Sequence, residues 1–118
     1  MIGLNLKCES TKTDRGDVDV VAMEGYLDGH TAPKLMRLID DLISQKHYRL
    51  VLDMSRLEYM SSAGFGILAA TQKRTQAQGG DLKVVNLPEK IRRTFVTLGL
   101  ENIIETHATR EDAFAAFR

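Results

Sequence analysis

Leu50-Val51-Leu52-Asp53-Met54 and, a few residues on, Tyr59-Met60-Ser61-Ser62-Ala63-Gly64-Phe65-Gly66-Ile67-Leu68-Ala69-Ala70 form the stretch that decides the fold. The first segment has apolar residues in succession, which fits a strand buried on both faces. The second leads into Ile67–Ala70, which reads as helix. That helix runs from about Ser62 to Gln78 and stops at Gly79-Gly80. Two adjacent serines, Ser61 and Ser62, therefore sit where a loop turns into a helix start. A hydroxyl there is exposed, and a phosphate on it would meet backbone N–H groups that lack a helical partner. The placement alone suggests a switch serine.

Working outward, the flanks supply the rest of an α/β sheet protein. Leu4, Leu6 and Cys8 alternate with polar residues, as do Val18, Val20 and Ala22, which is strand periodicity. Lys12-Thr13-Asp14-Arg15-Gly16 between them is a turn whose glycine is free to take positive φ, so the N-terminus reads as a β-hairpin. Thr31 is placed to cap a helix with Pro33 in its first turn, and Leu35, Leu38, Ile39, Leu42 and Ile43 give it one apolar face. Leu82–Val85 reads as a strand. Pro88 starts a third helix with Ile91, Phe95 and Leu98 facing in, ended by Gly99. Ile103-Ile104 is expected as a short last strand. Thr109 caps a final helix, with Asp112 three residues on and Phe114 and Phe117 facing in. The order is β-β-α-β-α-β-α-β-α. It predicts a mixed sheet with helices packed against it and the hairpin at one edge.

Composition narrows the function classes. The 118 residues suit one domain, residues 1–118, with no linker or repeat. Sixteen basic and sixteen acidic residues cancel, which argues against nucleic-acid or membrane-surface binding driven by bulk charge. The single cysteine, Cys8, has no intrachain partner, and its apolar neighbours predict a buried, unreactive thiol in a reducing compartment. Nothing reads as a signal peptide, and no apolar run reaches the roughly 18 residues of a membrane span. A cytoplasmic location is expected. His30, His47 and His107 are scattered without metal-ligand spacing, so neither metal nor cofactor is expected. Lys73-Arg74 and Arg92-Arg93 read as solvated helix faces.

The local chemistry leaves alternatives open. Ser61 or Ser62 could be no more than an N-cap. Gly64 and Gly66 cost about 1 kcal/mol each in a helix relative to alanine, so they mark either close approach of another backbone or helix-on-sheet packing. Phe65 between them reads either as an exposed apolar anchor for a partner or as core. Asp28 could form an Asx turn before Thr31.

Four stretches together resemble the anti-sigma-factor antagonists, which are single STAS domains. Gly25-Tyr26-Leu27-Asp28-Gly29-His30-Thr31-Ala32 is similar to the family's Gly-x-Leu-Asp-x-x-Thr-Ala segment, and Leu50–Ser55 to its central strand. Met60-Ser61-Ser62-Ala63-Gly64-Phe65-Gly66-Ile67-Leu68 is similar to its phosphorylation motif, usually Asp-Ser-Ser/Thr/Ala-Gly-Leu-Gly. Gly79-Gly80-Asp81-Leu82 and the Phe95-x-x-Leu-Gly-Leu run resemble its C-terminal third. The resemblance implies partner switching. The unphosphorylated antagonist binds an anti-sigma factor that is also a serine kinase and so frees a sigma factor; phosphorylation releases the antagonist, and a PP2C-type phosphatase resets it. It implies Ser62 as acceptor, with Ser61 standing where the family has Asp and becoming a second candidate. It also implies that Asp28 lies beside the phosphorylation site. The expected partner surface is Asp28, Ser61, Ser62, Ala63, Gly64 and Phe65.

Three rivals remain. No Gly-x-Ser-x-Gly elbow, Walker A loop or dinucleotide fingerprint is present, so catalysis is not expected. A phospho-aspartate receiver could use Asp53 at the end of the central strand. It would need an acidic cluster and a helix after its first strand, where this chain has a hairpin. A STAS scaffold or accessory subunit of a regulatory or transport complex would need no phosphorylation.

Overall fold

The structure, a computed structural model, describes residues 3–118. Strands β1 (Leu4–Thr13) and β2 (Gly16–Leu27) form the expected antiparallel hairpin. Gly16 closes it at φ 103°, a conformation that costs glycine little. Helix α1 (Ala32–Ser44), strand β3 (Arg49–Met60), helix α2 (Ser62–Ala77), strand β4 (Asp81–Val85), helix α3 (Glu89–Thr97), strand β5 (Glu105–His107) and helix α4 (Arg110–Ala116) follow in the predicted order. A short 3₁₀ turn, Leu100–Asn102, precedes β5.

The sheet has five strands in the order β1-β2-β3-β4-β5, antiparallel at β1/β2 and parallel elsewhere. Its central strand is buried on both faces, as the apolar run requires. Leu50, Leu52 and Met54 meet Leu35 and Ile39 of α1, Phe65 and Leu68 of α2, and Ile91 and Phe95 of α3. Val51 points the other way, with Val18, Val20 and Val85, against Ala113 of α4 and Phe117 just after it.

Helix α2 packs differently from α1. Its buried side includes Thr71, Gln72 and Thr75. Gln72 bridges α2 to β4: its Nε2 donates to Asp81 Oδ1 (2.6 Å) and the Ile103 carbonyl (2.8 Å), and its Oε1 accepts the Leu82 N–H (2.8 Å). Satisfied this way, a buried amide is tolerated in the core. The helix ends with the Gly80 N–H on the Thr75 carbonyl (2.8 Å) and Gly79 at φ 81°. This is the glycine stop read from the sequence.

Several expectations are corrected. Strand β3 does not end near Met54 but continues to Met60, paired with β2 through two irregularities, at Ala22/Glu24 and Gly25/Tyr26. Each places an extra residue on β3 and breaks the two-residue periodicity of Ser55–Met60. Ile103-Ile104 is not a strand: Ile104 plugs the core after the 3₁₀ turn, its N–H on the Leu100 carbonyl (2.9 Å), and pairing with β4 begins at Glu105. Leu98 ends α3 facing solvent rather than the core. Cys8 is exposed, because β1 is an edge strand. Partial desolvation by the strand, with Asp19 and Glu9 nearby, raises its pKa and keeps the thiol protonated.

Candidate functional site

Strands β2 and β3 run parallel and finish side by side, with Leu27 opposite Met60. The chain leaves each strand at the same sheet edge, at Asp28 and at Ser61. The Ser61 N–H donates to the Leu27 carbonyl (2.9 Å), so the ladder runs up to the helix with no loop between. Ser61 is extended (φ −85°, ψ 173°), and α2 begins at Ser62. This edge therefore carries the two features that the family resemblance implies lie together, the Asp28 segment and the serine pair.

The two serines differ. Ser61 makes no side-chain cap, and its Oγ is enclosed without a hydrogen-bond partner among the described residues. Ser62, one residue on, is exposed. The N–H groups of Gly64 and Phe65 both donate to the Ser61 carbonyl (2.9 and 3.2 Å). The amides of Ser62 and Ala63 are the first-turn donors left over. No acidic residue occupies this first turn, so the positive end of the α2 dipole is uncompensated where Ser62 stands. Neither serine is a side-chain N-cap, and only Ser62 presents its hydroxyl.

Asp28 forms the Asx turn. Its Oδ1 accepts the N–H of His30 (2.9 Å) and of Thr31 (3.1 Å). Thr31 does not cap α1 with its side chain. Its hydroxyl turns back, donating to the Tyr26 carbonyl (2.8 Å) and accepting the Asp28 N–H (2.9 Å). The carboxylate thus shapes the turn ahead of α1 rather than capping it: the first-turn amides of Ala32 and Lys34 go to the carbonyls of Asp28 (2.8 Å) and Thr31 (2.9 Å), and the Thr31 hydroxyl ties the loop to the end of β2.

The partner residues expected from the motif divide. Asp28 is half-buried, and Ser62 and Ala63 are exposed. Gly64 is buried: a Cβ there would lie 2.5 Å from Met60 Cγ and 2.9 Å from Leu27 Cγ, so it lets α2 start close to the sheet. Phe65 is 4% exposed within the core, which overturns its reading as an exposed anchor. Gly66 is the reverse case. It is exposed, and a Cβ added to it would have nothing within 4 Å, so no internal packing explains it.

Two features at this edge were not read from the sequence. An apolar groove between α1 and α2 is lined by Met36, Ala63, Gly66, Ile67 and Ala70. Met36 is 48% exposed, a large apolar residue at the flank of the α1 apolar face. Tyr26 and Tyr59 stack at 5.6 Å between ring centroids, and Tyr59 is 46% exposed. Met36 lies three residues before Ile39 and seven before Ile43, at the flank of the α1 stripe, where sequence spacing does not separate core from groove; Tyr59 was hidden by the irregular register of β3.

Asp53 lies on the other face of the sheet and is not a free acceptor. Burial pushes its carboxyl up, but hydrogen bonds from the Ser55 N–H (3.0 Å), Arg110 Nε (2.8 Å) and Asn86 Nδ2 (3.2 Å) outweigh it and hold the pKa below the ordinary range. It is an ionised structural anchor for α4.

The chain is similar to known proteins in both sequence and overall fold. The family model described as STAS domain matches residues 10–113. The anti-sigma-B factor antagonist of Bacillus subtilis is 34% identical over 100 residues, covering 85% of this chain and 90% of that protein. The anti-sigma-F factor antagonist RsfB of Mycobacterium tuberculosis is 31% identical over 108 residues, covering 92% and 88%. The crystal structure of an anti-sigma factor antagonist from Mycobacterium paratuberculosis superposes with a TM-score of 0.79 at 30% identity, covering 95% of this chain and 93% of that one.

Proposed function

Because the chain belongs to the STAS-domain family, we propose that it is an anti-sigma-factor antagonist working by partner switching, with Ser62 as the phosphorylation acceptor. The observation that carries the site assignment is the contrast between the serines: Ser62 is exposed at the first position of α2, and the Ser61 hydroxyl is enclosed. The unphosphorylated protein binds an anti-sigma factor that is also a serine kinase, and so frees the sigma factor. The kinase transfers the γ-phosphoryl group of ATP to Ser62 Oγ, whose proton is lost in the exchange. A PP2C-type phosphatase removes the phosphate and restores binding. The chain itself performs no catalysis and works in the cytoplasm.

Physical chemistry supports a switch at this position. A phosphate adds about −1.5 to −2 charges and three acceptor oxygens. At the start of α2 that charge meets the free amides of Ser62 and Ala63 and the positive helix end, so the fold tolerates it. A partner docked over Ala63 and Gly66 would instead face a bulky dianion it was not shaped for. Asp28, Ser62, Ala63 and Gly66, with the groove beside Met36, make up the surface on which that partner is read. Phe65 and Gly64 support it from beneath.

Incubation with the cognate kinase and ATP, followed by peptide mass spectrometry, should place one phosphate on Ser62. Phosphate on Ser61 alone would overturn the acceptor assignment. Absence of any phosphate, with retained binding to a larger complex, would favour the scaffold reading.

A further inference from the structure

The two edges of the sheet are unlike. β5 is three residues long, whereas β1 is a ten-residue edge strand. Natural edges are blunted by shortness, bulges or covering elements, and long open ones pair. The direction of the β1 backbone follows from its register. Leu4 lies opposite Gly25, and Gly3, one step beyond, accepts the Tyr26 N–H at 3.0 Å. Antiparallel ladders alternate, so Asn5, Lys7 and Glu9 direct their N–H and C=O groups toward β2. Leu4, Leu6, Cys8 and Ser10 direct theirs outward. The Leu4 carbonyl is taken by Lys34 Nζ (2.6 Å), which covers that end of the edge. Leu6, Cys8 and Ser10 have no neighbouring strand on their outer side among the described residues. Lys7, Cys8, Glu9 and Ser10 are all exposed.

We propose that β1 is a self-recognition edge, through which two copies of this chain pair antiparallel about a two-fold axis at Cys8. Charge selects this occupant and this register. With the axis at Cys8, Lys7 faces Glu9 of the second copy and Glu9 faces its Lys7, in the non-hydrogen-bonded positions where side chains approach most closely. An axis at Lys7 opposes lysine to lysine, and one at Glu9 opposes glutamate to glutamate. An axis at Leu6 or Ser10 leaves both charges without an opposite partner. Glu9 is available for this pairing, its one ionic contact among the described residues being a loose one to Arg110 Nη1 at 3.9 Å. The interface is isologous, as a closed two-fold dimer requires. Because β1 runs antiparallel to its counterpart, the β3 strands of the two copies point in opposite directions. The two Ser62 edges then lie at opposite ends of a continuous sheet, both open, so the dimer is a bivalent antagonist. The pairing itself does not depend on the switch proposed for Ser62.

Sedimentation equilibrium of the full chain over a wide concentration range, with amide hydrogen exchange read by NMR, tests the proposal. The mass should rise from one chain toward two with concentration. The outward amides of Leu6, Cys8 and Ser10 should gain protection in parallel, while the inward amides of Lys7 and Glu9 stay protected throughout. K7E should raise the dissociation constant by roughly tenfold or more, because both cross-strand pairs become repulsive. E9K should do the same, and K7E/E9K together should restore association. The inward amides report that each variant is folded, and either single variant suffices for the comparison. A monomer at every concentration, association equal in wild type and both single variants, or protection appearing elsewhere than on the outward β1 amides would each overturn it.

Discussion

Phe65 and Gly66 are neighbours on α2 and face opposite ways, and that contrast separates stability from recognition one residue at a time. Phe65 lies in the core with Leu68, so Phe65→Ala should cost about 3–5 kcal/mol in urea unfolding, the range for large buried aromatics. A loss below about 1 kcal/mol would return Phe65 to the surface. Gly64 and Gly66 look alike in the sequence, and alanine should have opposite effects on them. At Gly64 the new methyl meets Met60 and Leu27, and overpacking should cost about 1–3 kcal/mol. At Gly66 it meets open space in a helix, so stability should rise by up to ~1 kcal/mol. If a partner's backbone closes on Gly66, the same Gly66→Ala protein should bind its anti-sigma factor more weakly although it is more stable. Unchanged binding in a pull-down titration would remove Gly66 from the contact surface.

At the scale of elements, α4 is held to the sheet by Phe117, Ala113 and the Asp53–Arg110 contact. The carboxyl of Asp53 sits below its ordinary pKa, so its contribution to stability is present above the unfolded-state value of about 3.9 and is lost as pH falls below it. Asp53→Asn should therefore destabilise the protein near neutrality by about 1.5–3 kcal/mol, the worth of hydrogen bonds to a charged group, and should flatten the acid limb of the stability curve. An acid limb as steep as that of the wild type would show that other carboxylates govern it. Asp19 acts with the opposite sign. Burial dominates there and raises its pKa, although His47 Nδ1 lies 3.0 Å away, within ion-pair distance but off hydrogen-bond geometry. The order and type of the elements were legible because α1, the Leu50–Met54 run and the glycine stops are local signals. The far half of β3 was not, because its bulges scramble the alternation that marks a strand. Nor was the polar packing of α2, since Gln72 is buried through partners in β4 and ahead of β5 that only the fold assembles.

Over the whole molecule, the placement of the proposed switch serine, Ser62, is a consequence of topology. In parallel β-α steps the helices run back along the strands, so α1 and α2 both present their N-termini at the sheet edge where β2 and β3 end. Neither helix carries an acidic residue in its first turn. The sequence made Ser62 legible as a helix-start hydroxyl. It could not show that the Ser61 hydroxyl is enclosed, or that Phe65 turns inward and leaves the groove beside Met36 and Gly66 as the apolar surface. Those depend on the angle at which α2 leaves β3, which Gly64 sets by packing on Leu27 and Met60. The same arrangement predicts how the molecule responds to charge at the switch. Ser62→Asp adds one negative charge to an uncompensated helix start, worth about 0.3–1 kcal/mol in favour of the fold. Its urea midpoint should equal or slightly exceed that of the wild type, with an unchanged far-ultraviolet circular dichroism spectrum, while its binding to the anti-sigma factor falls at least tenfold. Ser62→Ala should keep both fold and binding and lose phosphorylation. A Ser62→Asp protein that unfolds at markedly lower urea would mean that charge acts by loosening α2. The partner would then be released by a change of shape, and the direct electrostatic reading of the edge would fail.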